Sequence, residues 1–277
     1  MTILRKSDSA ERGASEAIGF MLIFAMVIAG IGLVTLYGYP ILLQQQSTAN
    51  ERIMEKNMIV LQNDLKSLAY KTVPYKETSL KIDGGAVTLY GPVAPVTGNI
   101  TVTFIDSLGN PRTRSFNLSE LRYSSLDAQT DISLQNGAVV KRQNLVQGSV
   151  MLAEPRWFHD NVTNTMVLNF ISVNSTNSYL AKSGIVTVQE GLGQTNYTIY
   201  SSINSPIYLY YTPDPTGTED FTTGWDNYFV NTMKMTPQAD IPNPPPMLPT
   251  KKYQLPTFTG QPATLVIKSY EILINSF

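Results

Sequence analysis

Residues 17–43 read AIGFMLIFAMVIAGIGLVTLYGYPILL, 27 residues in a row without a charged side chain. Coiled as a helix at 1.5 Å per residue they reach about 40 Å, more than the roughly 30 Å hydrocarbon core of a bilayer. A helix bonds all its backbone groups internally, so such a segment can leave water at little polar cost. Soluble helices rarely run this far without a charge. A transmembrane helix is therefore expected over 14–43. The apolar stretch is longer than that of an ordinary secretory signal, and no small-residue cleavage site closes it.

The flanks orient the span. Arg5, Lys6 and Arg12 precede it, with Asp8 and Glu11 among them. Basic residues beside a short tail favour a cytoplasmic N-terminus, which puts everything after residue 43 outside the cell membrane. Tyr37 and Tyr39 fall near the outer end, where amphipathic rings favour the interface, and Pro40 is expected to kink the helix or mark its exit. Ala25, Ala29 and Gly32 are spaced four and three apart and share one helix face, which suits close packing against another helix.

The segment Arg12-Gly13-Ala14-Ser15-Glu16-Ala17-Ile18-Gly19 places a basic residue and a glycine directly before the apolar run. It resembles the class III signal of archaeal type IV pilin-like proteins. The resemblance implies that residues 1–13 are a leader, that a prepilin-peptidase-type protease cuts between Gly13 and Ala14, and that the helix stays on the mature chain. It further implies membrane lipid and other pilin-like subunits as partners. Glu16 would be third in the mature chain, whereas bacterial pilins carry their acidic residue fifth. More faintly, the stretches 134–140 and 151–155 resemble uncharacterised archaeal membrane proteins that share this N-terminus.

Beyond the apolar run, Met54, Met58, Leu61, Leu65 and Leu68 alternate steps of four and three, the signature of one helical face. No Pro or Gly interrupts residues 42–69. Residues 44–72 are therefore expected to form an extracytoplasmic amphipathic helix, whose stripe packs on the chain's own domain or on other subunits. Pro74 follows, and the pattern changes to short runs rich in Val, Ile, Thr, Tyr and Phe. Strands are expected at 79–82, 86–90, 99–105, 112–117, 131–134, 138–142, 149–152, 166–173, 184–190, 196–201, 207–211 and 264–274. Residues 83–85 (Asp-Gly-Gly) and 135–137 (Gln-Asn-Gly) read as tight hairpins, 108–111 as a longer one, and 191–193 (Gly-Leu-Gly) as a turn. The expected architecture is α+β: a long N-terminal helix followed by an antiparallel β-sandwich-like domain over 73–277. Seven prolines fall in residues 237–256, which are expected to be extended and poor in hydrogen-bonded structure.

Little in the sequence points to catalysis. There is no cysteine and one histidine, His159, so thiol chemistry and a thiolate zinc site are excluded. The run Arg156-Trp157-Phe158-His159-Asp160 reads as a surface loop whose tryptophan could meet a ligand. Asp214, Glu219, Asp220 and Asp226 lack the spacing of a calcium loop. A formal net charge of −1 with 15% charged residues offers nothing to nucleic acid. No cofactor and no enzymatic activity are expected. Five sequons, at Asn99, Asn117, Asn161, Asn174 and Asn196, all lie in the half placed outside and suit N-glycosylation where the backbone is exposed. Together these features predict a membrane-anchored cell-surface protein, a pilin-like structural or minor pilus subunit. The alternative is an anchored adhesin or ligand-binding domain that does not polymerise.

Overall fold

The computed structural model describes residues 8–71, 73–92, 97–125, 129–143, 148–175, 179–215, 220–244, 247–257 and 261–276. Of the leader, residues 1–7, which include Arg5 and Lys6, lie outside the described set, as does Glu219. The chain divides into two compact units, Met1–Ala49 and Asn50–Phe277.

The first unit is helical wherever it is described. Helix α1 spans Asp8–Leu33, a π-helical segment follows at Val34–Gly38, and α2 runs over Tyr39–Tyr70 into the second unit. The π turn has a local cause. Pro40 has no N–H for an ordinary helical bond, and its ring crowds the carbonyl one turn back. The wider turn absorbs this, with the Tyr39 N–H donating to the Val34 carbonyl. Pro40 thus does not end the helix, which continues to Tyr70.

The second unit is built on two sheets. In chain order the strands are β1 (Tyr75–Tyr90), β2 (Asn99–Ile105), β3 (Pro111–Asn117), β4 (Glu120–Ser125), β5 (Thr130–Gln135), β6 (Ala138–Gln143), β7 (Ser149–Ala153), β8 (Phe158–Asp160), β9 (Thr165–Ser175), β10 (Tyr179–Ile203) and β11 (Tyr208–Thr212). A short helix α3 (Thr222–Asn227) runs into a π turn (Tyr228–Thr232) before β12 (Thr236–Pro237), β13 (Lys251–Gln254) and β14 (Ala263–Ser276). The larger sheet has nine strands, in the order β7-β6-β5-β4-β1-β10-β14-β9-β8, and the smaller has five, β12-β13-β11-β2-β3.

The domain is thus β-rich and mostly antiparallel, with one departure: β9 and β14 run parallel, Thr165 beside Thr264 through Ser175 beside Ile274. Two apolar clusters follow from strand alternation. On one face of the large sheet, Met54, Met58, Leu61, Leu65 and Leu68 of α2 pack with Leu80, Val87, Leu121, Ile132, Val188 and Ile272, all essentially buried. On the other, Leu168, Phe170 and Leu265 pack with Ile100, Val102 and Leu209 of the small sheet. The second cluster is aromatic at heart. Trp225 is fully buried, its ring 5.4 Å from Phe229 and 6.3 Å from Trp157.

Two expected turns are bulges instead. Residues 75–90 form one strand, and the Asp83-Gly84-Gly85 step shifts its register between Ile82 and Val87. Gly84 adopts φ +68°, and a Cβ on Gly85 would overlap the Ser124 carbonyl oxygen of β4, a close approach only glycine permits. Residues 191–193 likewise lie inside β10, at a register shift between Leu192 and Thr195. Asn136-Gly137 is a true two-residue hairpin, with φ of 48° and 68°, pairing Gln135 with Ala138. The proline-rich segment is less bare than its composition suggests. Its ends join the small sheet through β12 and β13, and Ile241 bridges to Thr250; residues 245–246 lie outside the described set.

Candidate functional site

In the first unit the function-bearing feature is exposure. Ser15–Tyr70 contains the helix that is long and apolar enough to cross a membrane, and none of its most apolar window is buried. Phe20 is 69% exposed and Met26 74%. Ala25, Ala29 and Gly32 lie in α1 and are exposed, with open space around a Cβ placed on Gly32. Gly13 and Ala14 sit in the first turns of the same helix.

In the second unit α2 is fastened to the sheet by polar contacts that flank its apolar stripe. Lys141 of β6 pairs with both Glu51 and Glu55. Gln62 is buried because its amide donates to the carbonyls of Gly137, at 2.7 Å, and Glu154, at 3.0 Å. Lys66 donates to the same Glu154 carbonyl. Asp64 accepts from Thr78 at 2.6 Å and pairs with Lys76 at 3.3 Å. Beneath this joint lies Glu190 of β10, 1% exposed, with its Oε2 unpartnered.

Burial, reinforced by the charge of Asp64 and opposed by Lys76, pushes the Glu190 carboxyl up to about 8. The folded chain therefore holds a proton that the unfolded chain releases near the ordinary value of 4.5. Stability conferred by the protonated form is full below the unfolded pKa and lost as pH rises through the folded one. The slope approaches about 1.4 kcal/mol per pH unit. Denaturant midpoints are expected to fall between pH 5 and 8 in the native chain, and Glu190→Gln is expected to flatten that fall. An unchanged slope in the variant would refute the assignment.

A second polar cluster lies between the sheets, where apolar packing is the rule. Glu120 and Arg122 of β4, with Asp131, Ser133 and Gln135 of β5, are all 6% exposed or less. Arg122 Nη2 and Ser133 Oγ both donate to the Glu120 carboxylate. The Arg122 guanidinium stands 4.7 Å over the Tyr90 ring, and Arg142 bonds Asp131 at 3.1 Å. Burial raises the Glu120 pKa, while Arg122 and Ser133 oppose the shift. Sequence reasoning missed this cluster, because alternating polar residues on β4 and β5 look like a solvent face.

Several candidates from the sequence land elsewhere. Trp157 is not on a surface loop: it is 6% exposed in the aromatic core, donating to the Asn169 carbonyl at 2.6 Å. Phe158–Asp160 form β8, and the His159 ring lies 3.4 Å from Asn164 Oδ1. Asp226 accepts from the Tyr253 hydroxyl and Asp220 from the Thr222 amide. Among the described residues no group of three or more His, Cys, Asp or Glu is placed to hold a metal ion.

The sequons differ in access. Asn161 and Asn196 are exposed. The Asn99 amide donates to Asn117, whose own amide donates to the Pro92 carbonyl. The Asn174 amide is tied to Glu271.

A β-rich domain carried on a long N-terminal helix with an exposed apolar half is thus the class that fold and site define. The family described as "Family of unknown function (DUF7289)" matches residues 12–196, two thirds of the chain, and the chain belongs to that family. The match takes in α1, α2 and the strands from β1 into β10, so helix and domain belong to it together. No curated protein and no solved structure matches the chain.

Proposed function

We propose that this chain is a membrane-anchored surface protein with a pilin-like N-terminus, cut after Gly13 and displaying its β domain on the outer side. The supporting observation is the bare apolar helix: its side chains find no cover within the chain and must find it in lipid or among copies of the same helix. Arg12 before the run and the basic residues upstream support a cytoplasmic start. The exposed Asn161 and Asn196 are the favoured glycan acceptors, since the other three amides are engaged within the domain.

N-terminal sequencing of the protein extracted from membranes tests the reading, and the intact mass of that preparation reports the glycans. Ala14 as first residue is the expected result. Gly13→Leu is expected to leave residues 1–13 attached, visible as a larger mass. A native product that starts at Met1 would instead indicate a plain signal anchor and remove the pilin-like route.

A further inference from the structure

A cleft of about 540 Å³ opens beside β8, within the range of small-molecule sites. Its apolar part is Trp157, Phe158, Met233 and Pro256. Trp157 and Met233 are nearly buried, whereas Phe158 is 49% exposed and offers a ring to an incoming molecule. The hydroxyls of Thr232 and Thr257 and the rings and ammonium of His159 and Lys234 supply polar groups. No carboxylate is among the described residues that line it. Of the acids on neighbouring residues, Glu154 accepts from Thr232 at 2.8 Å, and Asp160 accepts from Thr163 and the Val162 amide.

Lys234 breaks a local rule. It follows the π turn with φ 57°, while the Met233 and Met235 amides bond back to the Tyr228 and Phe229 carbonyls. This left-handed position after a helical turn is where glycine is usual, and a side chain there costs backbone strain. The strained residue brings an ammonium to the cleft, and among the described residues no carboxylate pairs with it.

We propose that the cleft is a binding site for an acidic sugar. A sugar ring has an apolar face suited to Phe158 and hydroxyls suited to Thr232 and Thr257, and the lone ammonium of Lys234 favours a carboxylate over a neutral sugar. Asn161 stands on the rim, so a glycan attached there would compete for the same mouth.

The test uses the full chain in detergent, made in a host without N-glycosylation, titrated with D-glucuronate and with D-glucose. Trp157 in the floor provides a fluorescence signal. Glucuronate is expected to bind in the millimolar range, about tenfold tighter than glucose, the effect of one charge-assisted hydrogen bond. Lys234→Gly, which removes the strain and keeps the fold, is expected to abolish that preference. Phe158→Ala is expected to weaken both sugars. Failure of the native chain to bind glucuronate at ~50 mM, equal affinity for both sugars, or an undiminished preference in Lys234→Gly would overturn the proposal.

Discussion

Arg122→Met is expected to destabilise the β domain by about 3–5 kcal/mol, among the largest costs of any single substitution in it. Methionine keeps much of the arginine's bulk, so the loss is electrostatic rather than a cavity. What remains is the Glu120 carboxylate, 3% exposed, with Ser133 as its other hydrogen-bond donor in the cluster. Burial already raises the Glu120 pKa, and Arg122 is the first of the groups that oppose it. Without Arg122 the carboxyl must either take up a proton or stay charged and unpaired. The cost is therefore expected to be larger at pH 8 than at pH 5, where protonation is cheap. Glu120→Met added to Arg122→Met is expected to recover most of the loss, since replacing both members of a buried pair by apolar groups is often neutral. Chemical denaturation of the four chains at both pH values checks the cycle. A single variant within 1 kcal/mol of the native chain would show that the pair is solvated.

That cluster also marks where the sequence stops being readable. The helices were legible because their signal is local. An uncharged run and a stripe at 54, 58, 61, 65 and 68 each specify a face, and all five stripe residues are buried. Gln62 was not legible: it is buried through its bonds to two carbonyls contributed by residues 75 and 92 positions away. Strand β4 was missed for a related reason. Glu120, Arg122 and Ser124 alternate with Leu121 and Tyr123, the pattern of a sheet with one wet face, yet Glu120 and Arg122 are buried and only Ser124 of the three is exposed. The glycines of 83–85 and 191–193 carry the same backbone freedom in a turn as in a bulge, and the partner strand decides between them. The parallel pairing of β9 with β14 joins residues about a hundred positions apart, which no local pattern encodes. The cleft at β8 was half visible: its aromatic run was noticed, but Lys234 and Thr232 reach it from a distant turn.

The anchor carries the second large effect. Val27 and Ile31 are four residues apart on α1 and 52% and 59% exposed. Lysine at both positions puts two charges on one face near the middle of the span. Each is expected to cost about 2.5–3.5 kcal/mol of insertion free energy, so the pair opposes roughly 5–7 kcal/mol of apolar transfer. A lysine side chain near the middle of a 30 Å core reaches the headgroups only by tilting the helix or thinning the bilayer. The native chain is expected in the alkali-resistant membrane fraction, Val27→Lys with Ile31→Lys is expected to lose it, and leucine at the same positions is expected to retain it. The β domain should be unaffected, because among the described residues none of its core lies in the first unit, and resistance of residues 50–277 to limited proteolysis is the internal control. The double lysine variant remaining in membranes as firmly as the native chain would mean that the helix is covered by something other than lipid or its own kind, and the proposed function would fall with it.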